Sequence, residues 1–128
     1  MARDIGADRR LIYNPNTTKI TNKWYETTWG TDLLSGATSE TNAISIDVSS
    51  SGGIVVEKVV IGGSTQTTTF KLKVDGNVKA VWIIPANEPP QEYTVYVPAE
   101  NGSTVTLSYI QPAAAEVSAY MVGKVFME

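Results

Sequence analysis

The stretch Phe70-Lys71-Leu72-Lys73-Val74-Asp75-Gly76-Asn77 decides the fold. Apolar side chains fall on every second residue and lysines fall between them, so one face meets a core and the other meets water. Asp75-Gly76-Asn77 then reverses the chain, because glycine takes positive φ at little steric cost and Asp-Gly suits a tight hairpin. The same alternation recurs in Ile44-Ser45-Ile46-Asp47-Val48 and in Val105-Thr106-Leu107-Ser108-Tyr109. Turn-forming groups separate the runs: Ser49-Ser50-Ser51-Gly52-Gly53, Gly62-Gly63-Ser64, Glu88-Pro89-Pro90 and Pro98-Ala99-Glu100-Asn101-Gly102. Strands are expected over 19–28, 43–49, 54–61, 67–74, 78–85, 92–97, 103–110 and 116–127. Valine and isoleucine total 24 against 5 leucines, beside 15 threonines, and branching at Cβ favours strand. Pro112-Ala113-Ala114-Ala115 allows at most one helical turn, and no segment holds a 3.6-residue period. With nothing helical to cover a sheet, about eight antiparallel strands must pack as two layers, in an all-β sandwich or barrel.

A chain of 128 residues and 42% hydrophobic content is one domain with a real core. We expect a single sandwich over 19–128 and an extended N-terminal arm over 1–18, where alternation fails and Asn14-Pro15-Asn16 signals a turn. In that arm Ile5, Leu11, Ile12 and Tyr13 are apolar and need a surface to lie on, beside Arg9 and Arg10. Ile54-Val55-Val56-Glu57-Lys58-Val59-Val60-Ile61 and Val81-Trp82-Ile83-Ile84 are apolar on both faces. Such strands need cover from a loop, the arm or another subunit.

Composition excludes several chemistries. The chain has no histidine and no cysteine, which removes thiolate and imidazole metal sites, Cys nucleophiles, Ser-His-Asp triads and disulfides. A net charge of −3 argues against a general nucleic-acid binder. No apolar run reaches the length of a spanning helix, so no membrane partner is expected. Met1-Ala2-Arg3-Asp4-Ile5-Gly6 lacks the apolar region of a secretion signal. No pair of the 13 acidic residues is marked by spacing for general acid–base work, and no phosphate-binding glycine motif opens a helix. Glu57 lies among apolar neighbours and either serves chemistry or points to solvent. Asp47, Asp75 and Glu57 lack the spacing of a calcium loop, and the turn already explains Asp75. Neither a cofactor nor a metal is expected.

Aromatic residues are the candidates that remain. Trp24-Tyr25-Glu26-Thr27-Thr28-Trp29 puts Tyr25 and Trp29 on one strand face and Trp24 on the other. Such rings stack on sugars, anchor an interface or fill a core. Tyr96 lies on the face opposite Val95 and Val97, as an exposed ring or a contact residue. Trp82 reads as core.

Residues 58–125 carry Val-Val-Ile, then Thr-Thr-Phe-Lys-Leu-Lys-Val-Asp-Gly, then Tyr-Thr-Val-Tyr-Val-Pro. This run resembles two groups of small jelly-roll sandwiches: carbohydrate-binding modules, and the decoration, head-fibre and tail proteins of tailed-phage virions. The resemblance implies a jelly-roll-like sandwich. The arm, the two-sided apolar strands and the plain Met1 start favour the second group. That reading is a non-enzymatic virion protein, made in the host cytoplasm, that forms a homo-oligomer such as a trimer. It would decorate or cement a phage capsid, with the major capsid protein as a partner. The alternative is a carbohydrate-binding or receptor-binding module that uses Trp24, Tyr25 and Trp29 on glycans.

Overall fold

A computed structural model describes residues 13–14, 19–20 and 23–127. Two short strands, β1 (Tyr13–Asn14) and β2 (Lys19–Ile20), pair antiparallel with each other. Eight longer strands follow: β3 (Lys23–Leu34), β4 (Thr41–Asp47), β5 (Ile54–Gly62), β6 (Thr68–Val74), β7 (Asn77–Ile84), β8 (Gln91–Ala99), β9 (Thr104–Ile110) and β10 (Val117–Met127). They form two four-stranded antiparallel sheets, ordered β3-β10-β5-β8 and β4-β9-β6-β7. The pairing is nested. β6 pairs with β7, β5 with β8, β4 with β9 and β3 with β10. The eight strands are thus one long hairpin rolled into two layers, the jelly-roll sandwich.

The hairpin tip is the expected one. Asp75 and Gly76 both take positive φ, 51° and 83°, between the paired Val74 and Asn77. Two such residues make a turn whose twist matches the flanking strands. Alternation then fills the core. Phe70, Leu72 and Val74 of β6 point inward with Val105, Leu107 and Tyr109 of β9. They meet Val56, Val59 and Ile61 of β5 and Ala119 and Met121 of β10.

Two expectations change. The strand expected over 19–28 is Lys23–Leu34, because pairing with β10 carries it through Gly30 to Leu34. Residues 112–115 form a bend and loop with no helical turn. A buried side chain organises that loop instead. Gln111 Nε2 donates to Ser64 Oγ and Thr68 Oγ1, both at 3.0 Å, and its Oε1 accepts from Ala115 N at 3.0 Å and Ala37 N at 3.3 Å. One amide therefore ties three chain segments together at one end of the sandwich. Of the arm residues, Ile5, Arg9, Arg10, Leu11 and Ile12 lie outside the described residues, and Tyr13 begins β1.

Candidate functional site

The three aromatic residues of β3 are placed in three environments. Trp29 lies opposite Met121 and packs against the core. Gly123 leaves it room, since a Cβ there would stand 3.1 Å from Trp29 Cζ3 and 2.0 Å from the Val55 carbonyl oxygen. Trp24 is half-buried on the other face, with Lys124 Nζ 5.0 Å from its ring centroid. The same ammonium donates to both carboxylate oxygens of Glu57, at 2.8 and 2.6 Å. Glu57 interrupts the β5–β8 register between Val56 and Lys58, and the ion pair holds it over the sheet. Tyr25 is 51% exposed. No single aromatic platform arises from Trp24, Tyr25 and Trp29.

Tyr96 is different. It projects from β8 with 75% of its surface exposed. It borders an open cleft of about 490 Å³ at the end of the sandwich, where several loops converge. Val55, Pro98 and Phe126 supply apolar lining. Asp75, Asn77, Lys79, Glu100 and Ser103 supply polar groups from the β6–β7 and β8–β9 turns and the start of β7. These turns are braced. Asp75 N donates to Thr104 O at 2.8 Å, and Thr104 N donates to Asp75 Oδ1 at 2.9 Å. Gly52 N donates to Phe126 O, Phe126 N to Gly53 O, and Val48 N to Ser103 O. Backbone bonds of this kind fix loop positions before any ligand arrives.

Lysines elsewhere are mostly paired among the described residues. Lys58 meets Glu92 at 3.4 Å, and Lys73 and Lys71 both approach Glu40. The hydrogen bond from Lys73, then that from Ser108, holds the Glu40 carboxyl below the usual glutamate range, and the charge of Lys71 adds to this. Among the described residues, Lys79 and Glu100, at the cleft, have no ion-pair partner. Asp47 and Asp75 flank Thr104, whereas Glu57 belongs to the other sheet. Among the described residues, no group of three or more acidic residues is arranged to hold a metal ion.

The two-sided apolar strands also differ. On β5, Val55 is buried in the cleft and Val60 is half-buried. On β7, Trp82 packs inward and meets Tyr93 in a tilted ring contact with centroids 5.7 Å apart. Val81 and Ile83 face outward and are 52% and 66% exposed. Val78 is exposed on the same strand, and among the described residues β7 pairs only with β6.

No protein-family model matches the chain, and no curated protein matches it in sequence. Solved structures do resemble it. One is the CBM36-1 domain of a multidomain xylanase from the hindgut metagenome of Trinervitermes trinervoides, at 15% identity and TM-score 0.50, covering 77% of this chain and 97% of that one. Another is a family 35 carbohydrate binding module from an environmental isolate, at 13% identity and TM-score 0.50, covering 77% and 96%. A structure of infectious bursal disease virus, Gx strain, matches at 8% identity and TM-score 0.46, covering 92% of this chain and 38% of that one. At these identities the first two likenesses show the β-sandwich fold and nothing finer.

Sequence reasoning singles out Tyr96 but not its surroundings. Asn77, Lys79, Glu100 and Ser103 lie in turns or at strand starts, and only the nested pairing brings those turns to one end. The Asp-Gly turn was a legible signal for one wall of the cleft.

Proposed function

We propose that this chain is a non-enzymatic recognition module that binds carbohydrate in the cleft beside Tyr96. The observation that carries this reading is a largely exposed tyrosine ring bordering a braced cleft with both apolar and polar lining. A sugar presents an apolar CH face and a rim of hydroxyls. The ring takes the first, and Asn77, Ser103 and the charged groups of the turns take the second. The solved carbohydrate-binding modules of like fold support the reading at the level of architecture. Tyr96→Ala tests it by calorimetric titration with oligosaccharides. Losing a stacked ring face removes about 1–2 kcal/mol, roughly a 5- to 30-fold drop in affinity. Unchanged affinity in the variant refutes the assignment of the site.

A second reading is favoured by a separate observation, the exposed Val78, Val81 and Ile83 on edge strand β7. An apolar edge guarded only by Lys79 is a template for association, and natural sheets usually guard such edges more heavily. On this reading the chain is a homo-oligomeric virion protein that decorates a phage capsid against the major capsid protein. Co-sedimentation of the native protein with a large particle in fixed stoichiometry supports it. Migration as a free small species removes that support.

A further inference from the structure

The β8–β9 turn, Glu100-Asn101-Gly102-Ser103, carries a reactive pair that sugar recognition does not use. Asn101 alone among the asparagines of the chain precedes glycine. Such a pair is prone to lose ammonia, because glycine has no side chain to keep its amide nitrogen away from the asparagine carboxamide. Both residues are exposed, and a Cβ built on Gly102 meets nothing within 4 Å. Crowding therefore does not protect the pair. A hydrogen bond does. Gly102 N donates to Val48 O at 2.8 Å. Val48 N donates back to Ser103 O at 2.9 Å, and Ser103 N closes the turn on Glu100 O at 3.0 Å. Thr104, next in the chain, is tied to Asp75 through its amide and to Asp47 through its hydroxyl.

We infer that Asn101 is a self-modification site that the fold keeps latent through the bond from Gly102 N to Val48 O. In the reaction Gly102 N gives up its proton and attacks Cγ of Asn101. The N–Cγ bond forms, the Cγ–Nδ2 bond breaks, and ammonia leaves with the amide proton. Water then opens the cyclic imide at either carbonyl, giving aspartate or isoaspartate. No oxidant, metal or second protein enters. While Val48 O holds the Gly102 proton, the nitrogen is neither free to lose it nor free to swing onto Cγ, so the turn must open first. Isoaspartate adds a methylene to the main chain, which breaks the spacing that the two Val48 bonds require. Glu100 and Ser103 border the cleft, so its rim changes with the turn. The inference does not depend on the ligand of that cleft.

The test incubates the full chain at one mildly alkaline pH, native and in urea, and follows Asn101 by peptide mass mapping. Conversion in urea is expected to be at least about tenfold faster, the factor that one hydrogen bond of ordinary strength supplies. Hydrogen exchange on the native chain is expected to show the Gly102 amide slowed by a similar factor despite its exposed position. Equal conversion in the two conditions, or a Gly102 amide that exchanges as in the unfolded chain, overturns the protection. No conversion of Asn101 in urea overturns the site itself.

Discussion

Replacing Gln111 with methionine keeps the side-chain length and removes its amide. The wild-type residue is 2% exposed and its side chain makes four hydrogen bonds. The four partners lose unequally. Ser64 Oγ still accepts from Gln66 N, and Thr68 Oγ1 still donates to Gln66 O, so each hydroxyl keeps one bond. The amides of Ala37 and Ala115 lose the acceptor that holds them at 3.3 and 3.0 Å. Two part-buried orphan amides cost about 1 kcal/mol each and the two hydroxyls about 0.5 kcal/mol each. The thioether regains about 0.5–1 kcal/mol, since no amide is desolvated. The net loss is about 2 kcal/mol, a large share of the 5–15 kcal/mol typical of a whole domain. Urea denaturation followed by circular dichroism reads it as a lower midpoint with an unchanged slope. The melting temperature falls by roughly 6–10 °C in a domain of this size. A loss under about 0.5 kcal/mol would mean that water replaces the amide fully, and the account of Gln111 as a buried tie would be wrong.

Three further outcomes follow from the packing. Gly123→Ala places a methyl group 2.0 Å from the Val55 carbonyl oxygen, so strands β5 and β10 must part; we expect a loss above about 2 kcal/mol by urea titration, and a neutral result refutes the close approach. Glu40→Gln removes a carboxylate whose pKa is lowered by Lys73 first and Ser108 second, so the ion-paired form stabilises the fold. Because the folded value is depressed, the wild type exceeds the variant in stability above about pH 5, and the difference fades as pH falls through the lowered value; thermal melts at stepped pH check this, and a difference that grows in acid refutes it. Val81→Lys with Ile83→Lys charges the exposed edge, leaves the monomer folded and abolishes any concentration-dependent association in sedimentation velocity; association that persists places the contact elsewhere.

Alternation made β4, β6 and β9 legible, and turn chemistry with branched residues marked out the other long strands. The end of β3 was less so, because pairing with β10 rather than local composition takes it past Gly30 to Leu34. Trp24 and Trp29 show the limit for side chains. Their opposite faces follow from spacing, but Lys124 over Trp24 and the space above Gly123 depend on a strand far along the chain. Cross-sheet neighbours of this kind are set by topology, and the strand order was not written in any local pattern. The cleft shares that origin. Its turns converge on one end only once the long hairpin is rolled.

The nested pairing also governs the order in which a ribosome delivers the parts. The β6–β7 hairpin closes as soon as it emerges, since its partners are adjacent in the chain. β10 sits between β3 and β5, and it comes last. Until then the earlier-made β3 lacks its long ladder, and β5 lacks one of its two paired neighbours. Folding of this sheet therefore waits until β10 has been made, and the waiting chain exposes strand edges that chaperones recognise. A nascent chain stalled before Val117 has no route to the native sheet, whereas one stalled within the N-terminal segment has yet to begin.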